Sequence, residues 1–432
     1  MTSVRRSDKT KTQTLCTREL ARKRSRVLRA SGLMRNMPSN VGAFFGGLFR
    51  GRSIIRLLYA FERFPKVLRL LHVRYWRRWT VAAYYRHKDH APPPSKITLR
   101  ITNACNLRCV QCAQWGDAGV FKQLHQSSDS RHLTTEDWKR FISRLAPVCP
   151  HIYFFGGEPF LCKDLLELVR HATRKHVLTG VNTNGHFLKR LGPEIVRSGM
   201  DYLIVSLDGP REINNSIRAG KKDGFELVQE GMKEVTQAKA ELGSRYPLIE
   251  ICMTVTVENQ HHILETAQIA HDMGADYFSL GFGVFTTREI AAESAAEFKA
   301  DFGIAPRFFD GFVRDVGPVD ASAIARQIDQ VKALWRSRYK QCPPGRFDIQ
   351  AYFHKPREPV KNQPCIVPWL TMQIMPDGQL AFCEDFADLS VGRVCETDPL
   401  ALWNNAQSLQ YRRRIRTKGV YPAESRCGNQ YL

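Results

Sequence analysis

Between residues 95 and 285 the chain repeats one pattern, a short strand-like run followed by a stretch with helical spacing. The runs are SKITLRIT (95–102), HIYFFGGEPFL (151–161), GVNTNGHFL (180–188), YLIVS (202–206), LIEICMTVTV (248–257) and YFSLGFGVF (277–285). Between them, apolar residues recur at helical intervals over 134–146, with Thr134 as N-cap, and over 163–176, 188–198, 224–241 and 261–273. Strands separated by helices do not pair as tight hairpins; each crossover returns the next strand parallel to the last. The expected fold is therefore α/β with a parallel, barrel-like sheet. Folds of that kind carry their sites at the C-terminal ends of the strands. The chain's unusual residues fall at those ends.

The first strand runs into ITNACNLRCVQCAQWGD (101–117), which places Cys105, Cys109 and Cys112 in the spacing C-x3-C-x2-C. A single buried cysteine is ordinarily an inert small hydrophobe, but three so close together point to a metal. Zinc sites usually draw two ligands from each of two knuckles, and no second pair lies near. A [4Fe–4S] cluster can take three thiolates from one loop and keep its fourth iron open to a small molecule. The second strand ends in Gly156-Gly157-Glu158-Pro159, the third in Asn182 and Asn184, and the fourth in Ser206, with Asp208 just behind and Arg218 ten residues further on. Glycines allow close backbone approach, a carboxylate or carbonyl accepts from an ammonium, and arginine forks a carboxylate.

These motifs, in this order, resemble the radical S-adenosylmethionine superfamily. The resemblance implies a partial (β/α)6 TIM-type barrel over residues 96–285, with a [4Fe–4S] cluster on Cys105, Cys109 and Cys112 and S-adenosylmethionine at the open iron. It implies cofactor contacts from Gly156, Gly157, Glu158, Asn184, Ser206 and Arg218. The implied chemistry is reductive cleavage to a 5′-deoxyadenosyl radical that takes hydrogen from a peptide or small-molecule substrate, fed by a donor such as flavodoxin or ferredoxin. Two positions depart from the pattern. Gln111 stands where an aromatic residue usually precedes the last cysteine and packs near adenine, and Asn214 and Asn215 stand where His-Asp is common.

The C-terminal region, CIVPWLTMQIMPDGQLAFCEDF, places Cys365, Gly378 and Cys383 in the pattern C-x12-G-x4-C, with a Pro-Asp-Gly turn at 376–378 between two short strands. This resembles a SPASM or twitch extension, which implies a second, auxiliary iron–sulfur cluster on Cys365, Cys383 and Cys427. The tail reads PAESRCGNQYL, so Glu424 occupies the place of the second cysteine of a C-x2-C pair. Glu424, Cys395, Cys342 or no residue would complete the set; zinc, or no metal, is the alternative. Residues 286–360 read as a mostly helical bridge and 361–432 as the extension. Cys16, Cys149, Cys162 and Cys252 read as structural.

Charge divides the chain. Residues 1–90 hold 22 Lys and Arg against four acids, which is +18 of the chain's +22. With APPPS (91–95) as a spacer, residues 1–95 read as a basic, partly disordered or helical arm. Ile54, Leu57, Leu58, Phe61, Leu68 and Leu71 recur at helical spacing among arginines. Such a helix packs on the main domain, tracks the phosphates of a nucleic acid (the least favoured reading) or lies at an anionic membrane surface. Liposome binding would then go with a lipid-linked substrate. The segment has no motif for reading nucleic acid. A non-catalytic iron–sulfur or zinc carrier is the third class considered; it would have no use for cofactor segments at 156–159 and 206–218. The absence of an apolar leader and the clustered cysteines lead to the expectation of a reducing cytoplasm, with peripheral contact to the inner face of the membrane as the arm's option.

Overall fold

The computed structural model describes residues 79–428 apart from 83, 85, 87, 117–118, 122–131, 150, 220–222 and 384–385. The readings of the arm before residue 79, including its amphipathic helices and Cys16, lie outside the described residues.

Nine strands form one sheet. The six expected runs are β1 (Lys96–Thr102), β2 (His151–Gly156), β3 (Leu178–Thr183), β4 (Tyr202–Ser206), β5 (Leu248–Val255) and β6 (Tyr277–Phe282). Three more are β7 (Tyr339–Cys342), β8 (Thr371–Ile374) and β9 (Leu380–Ala381), and the order across the sheet is β7-β6-β5-β4-β3-β2-β1-β8-β9. Every neighbouring pair is parallel except β8–β9, and the sheet stays unclosed, with β7 and β9 as its edges. Around it stand α1 (Thr135–Leu145), α2 (Leu165–Arg174), α3 (Leu188–Arg197), α4 (Arg211–Arg218), α5 (Gly224–Glu241) and α6 (Ile263–Asp272). Then follow α7 (Arg288–Phe302), α8 (Ala321–Trp335), α9 (Ile349–His354), α10 (Val367–Leu370), α11 (Pro399–Trp403) and α12 (Ala406–Lys418).

Local chemistry accounts for these bounds. Thr134 caps α1 by accepting from the Asp137 amide, while its own amide donates to Asp137 Oδ2 at 2.9 Å, a reciprocal capping box. Along β5 the residues alternate. Ile249, Ile251, Met253 and Val255 are fully buried, whereas Leu248, Glu250, Cys252 and Thr254 are half-buried on the other face. The apolar set faces the helices. The other set shares a face with Phe155, Asn182 and Ser206, which line the cavity described below. A closed (β/α)8 barrel fills this interior with branched aliphatics; here it holds Thr98, Arg100, Asn182, Ser206, Glu250 and Ser279. Stacked rings pack its β1–β4 side. Phe155 lies 5.9 Å from Tyr153, and Tyr153 lies 6.3 Å from Tyr202. The Tyr202 ring covers Gly180, where a Cβ would come within 1.9 Å of it.

Three strands, β7, β8 and β9, come from outside the expected core. The bridge contributes helices and also β7, which pairs with β6. The first strand of the C-terminal hairpin, β8, pairs with β1 from Lys96↔Thr371 to Leu99↔Ile374, so the extension widens the barrel sheet. The spacer is bound along its length. Asn404 Nδ2 donates to Ala91 O at 2.9 Å, Trp403 Nε1 donates to Pro92 O at 2.8 Å, and Asp89 pairs with Arg413 and Arg416 at 2.8 and 2.9 Å. No helix among the described residues is long and apolar enough to cross a membrane.

The tail is held by one side chain. Arg426 is 1% exposed and donates to the carbonyls of Tyr352 and Glu358 at 2.6 Å, Lys355 at 2.5 Å and Ala351 at 3.2 Å, so it caps the end of α9. Removing a buried guanidinium leaves these acceptors without donors. Arg426→Met is expected to lower the free energy of unfolding by about 3 kcal/mol. Urea titration of the full chain checks this, and an unchanged midpoint would show that the clamp is not stabilising.

Candidate functional site

The loop after β1 is shaped by backbone contacts. The Gly157 amide donates to Thr102 O at 3.0 Å and the Glu158 amide to Ala104 O at 2.9 Å, which lays residues 156–158 against 102–104. A Cβ at Gly157 would meet Ala104 O at 2.2 Å, and one at Gly156, whose φ is +149°, would meet Thr102 O at 2.3 Å. Only glycine fits here. The far side of the loop rests on the end of α4, with Arg108 N donating to Ala219 O at 3.1 Å and Val110 N to Ile217 O at 2.9 Å.

Held in this way, Cys105, Cys109 and Cys112 line one cavity of about 260 Å³ at the mouth of the barrel. Gly156, Gly157, Asn184, Ser206 and Arg218 line the same cavity. The Leu107 amide points at Cys105 Sγ (3.5 Å) and the Trp115 amide at Cys112 Sγ (3.3 Å). Burial pushes the Cys105 thiol up to about 11 and the Cys109 thiol to about 12, with repulsion among the three sulfurs adding to it. Sulfurs in such surroundings become thiolates only with a cation beside them. Three mutually repelling thiols, with amides aimed at two of them, are a donor set that fits an iron–sulfur cluster.

Glu158 is elsewhere. It is fully buried, and its carboxylate accepts from Phe160 N at 3.0 Å, Thr183 Oγ1 at 2.9 Å and Asn184 N at 2.7 Å. Burial raises its pKa to about 7 against the pull of these donors. The carboxylate ties β2 to the end of β3; the peptide groups of Gly156 and Gly157 face the cavity.

A network not read from the sequence joins Asp208, Gln111 and Arg218. Asp208, fully buried, pairs with Arg218 Nη2 at 2.7 Å and accepts from Gln111 Nε2 at 2.7 Å and from Thr254 N at 2.8 Å. Asn259 Nδ2 fixes the Asp208 carbonyl at 2.9 Å. The asparagines that replace His-Asp are spent locally: Asn214 Oδ1 accepts from Asp208 N and Asn215 Oδ1 from Phe225 N. The signal for this network was present in Asp208 and Arg218, ten residues apart, but α4, which brings them together, is short and polar.

In the C-terminal extension, Cys365 and Cys383 share an environment with Glu424. Burial, then the charges of Glu424 and Cys383, drive the Cys365 thiol far above its ordinary range. Tyr411 faces the same three groups. Cys427 follows Glu424 by three residues, its amide donating to Glu424 O at 2.8 Å, and both are nearly fully buried. Of the other candidates for a fourth ligand, Cys342 donates to Gly428 O at 3.1 Å and Cys395 is exposed. Among the described residues all eleven cysteines are free thiols, and no three Cys, His, Asp or Glu already stand as a metal-holding group.

Comparison with known proteins follows these two regions. Residues 99–270 match the family model described as the radical SAM superfamily, and residues 365–429 match SPASM, an iron–sulfur cluster-binding domain. An Fe-coproporphyrin III synthase of Methanosarcina barkeri is 32% identical over 37% of this chain and 38% of its own. A PqqA peptide cyclase of Bradyrhizobium diazoefficiens is 26% identical over 42% of this chain and 45% of its own. The chain thus spans less than half the length of either relative. The crystal structure of Streptococcus suis SuiB bound to S-adenosylmethionine superposes with a TM-score of 0.55 at 17% identity, over 79% of this chain and 72% of that one, a likeness of fold.

Because the Glu158 carboxylate binds three donors inside the protein, Glu158→Gln replaces one acceptor oxygen by a donor facing an amide or hydroxyl. It is expected to destabilise the cluster-free protein by about 2 kcal/mol. Thermal or urea unfolding checks this, and a variant as stable as the parent would mean that the carboxylate is not needed to join the strands.

Proposed function

The chain belongs to the radical SAM superfamily and carries a SPASM-type extension; on that premise we propose that it is a radical enzyme acting on a peptide or small-molecule substrate. In this reading Cys105, Cys109 and Cys112 hold a [4Fe–4S] cluster, and Cys365, Cys383 and Cys427 hold a second one. Bound together, the first cluster and S-adenosylmethionine would supply one-electron reductive cleavage to methionine and a 5′-deoxyadenosyl radical, the species that would take hydrogen from the substrate.

The protein's part is to bind, orient and exclude water. The peptide groups of Gly156 and Gly157 and the side chains of Ser206 and Arg218 receive the amino-acid end of the cofactor. Asp208 holds the Arg218 guanidinium in place at 2.7 Å. The observation that carries the reading is the single cavity shared by the three cysteines with Gly156, Gly157, Asn184, Ser206 and Arg218, from four different strand ends. An electron carrier needs the thiols but not the other five. The peptide branch of the substrate class draws on the peptide cyclase among the relatives, and the small-molecule branch on the porphyrin synthase.

The test is anaerobic reconstitution of the full chain with iron and sulfide, followed by dithionite and S-adenosylmethionine. About eight irons per chain and 5′-deoxyadenosine by mass spectrometry are expected, with Cys109→Ala losing about four irons together with the product. About four irons in the parent would remove the second cluster from the proposal, and zinc without iron would overturn it entirely.

A further inference from the structure

Gln111 sits at a junction. It lines the cysteine cavity, and it also lines a second cavity of about 160 Å³ between the ends of β5 and β6; Val284 is common to both. Its amide cannot turn freely. Nε2 donates to Asp208 Oδ2 at 2.7 Å, and that carboxylate is itself paired with Arg218. A rotated amide would set an oxygen against the carboxylate, which accepts only. Oε1 therefore points the other way, where it is buried and has no partner. A second polar atom in the same state, Thr256 Oγ1, belongs to a residue lining the smaller cavity. Val255, Val257, Val284 and Phe285 give that cavity an apolar wall, and Glu258, Arg314 and Asp315 also line it.

A buried acceptor left without a donor costs about 1–3 kcal/mol, so an atom of this kind in a cavity wall marks the place of a ligand's N–H or O–H. The proposed cofactor has both. With its amino-acid end on Arg218 and its sulfur toward the cysteines, its nucleoside extends beyond the cysteine cavity, and the apolar wall of the adjoining cavity, with polar groups beside it, suits a nucleoside. We propose that Gln111 Oε1 accepts a hydrogen bond from the nucleoside of S-adenosylmethionine, in an orientation fixed by Asp208 and Arg218. Gln111 is then a positioning residue that selects for a donor, a role the usual aromatic residue does not have. The inference rests on the radical SAM reading above.

The experiment is isothermal titration of the reconstituted full chain, without oxygen, using three ligands beside S-adenosylmethionine. One carries a carbonyl in place of the 6-amino group; the other two lack the ribose 2′- or 3′-hydroxyl. One of the three is expected to bind at least ~10-fold more weakly than the parent cofactor, and which one identifies the donor as base or ribose. Gln111→Leu is expected to bring that ratio to within ~3-fold of unity, a change that a purely structural residue would not produce. The comparison among ligands in the unsubstituted protein needs no variant to fold. Equal binding of all four, or a ratio unchanged by Gln111→Leu, would overturn the assignment while leaving the cofactor reading intact. No binding of S-adenosylmethionine itself would overturn that reading and the assignment with it.

Discussion

The backbone of residues 102–104 meets that of 156–158 with no side chain between them, and the rest of the barrel mouth takes its position from this contact. It brings the loop that bears Cys105 against the end of β2, where Gly156 and Gly157 leave room for the carbonyls of Thr102 and Ala104. From there Glu158 reaches back to the end of β3 and fixes Asn184, whose side chain donates to Asn106 in the same loop. The motif therefore has a structural reason for both glycines that is independent of any ligand: a methyl group at either would push the cysteine loop off the strand.

Regular elements were readable because their signals are local. The helix expected at 224–241 has those bounds as Gly224–Glu241, since one apolar stripe runs its whole length. What the sequence did not disclose is tertiary. α4 reads REINNSIR, eight residues with only two large apolar side chains, Ile213 and Ile217, and is held by the bonds of its C-terminal end to the cysteine loop and of Asn214 to Asp208. β7 is four residues long and too short to display alternation; it is recruited by the free edge of β6. The barrel's site residues other than Glu158 share one cavity because all but Arg218, which ends α4, sit at or just past a strand's C-terminal end, a property of parallel topology. Glu158 looks the same in sequence, yet its side chain turns inward to the Thr183 hydroxyl and the Asn184 amide. Nothing in four letters distinguishes a carboxylate facing a ligand from one facing a backbone.

The interior of this barrel differs from a packed aliphatic core in what it permits. Stacked Phe155, Tyr153 and Tyr202 give rigidity on one side through ring contacts, while Ser206, Glu250, Cys252 and Ser279 keep the other side polar and partly open. A chamber built in this way retains room next to the cysteines without the collapse that apolar walls would undergo. The unclosed sheet adds to that room, because β7 and β9 do not meet.

The pairing of β1 with β8 joins Lys96 to Thr371, positions 275 residues apart. During synthesis the first strand emerges with one edge unsatisfied and waits for nearly the whole remaining chain. At ordinary ribosomal rates that is roughly 14 to 55 s. Unpaired strand edges are templates for other chains, so for this interval the nascent barrel is at its most vulnerable along the strand that will carry the cysteine loop. The arrival of β8 at residues 371–374 is what ends that exposure, and Trp403, Asn404, Arg413 and Arg416 then clasp the segment that leads into β1.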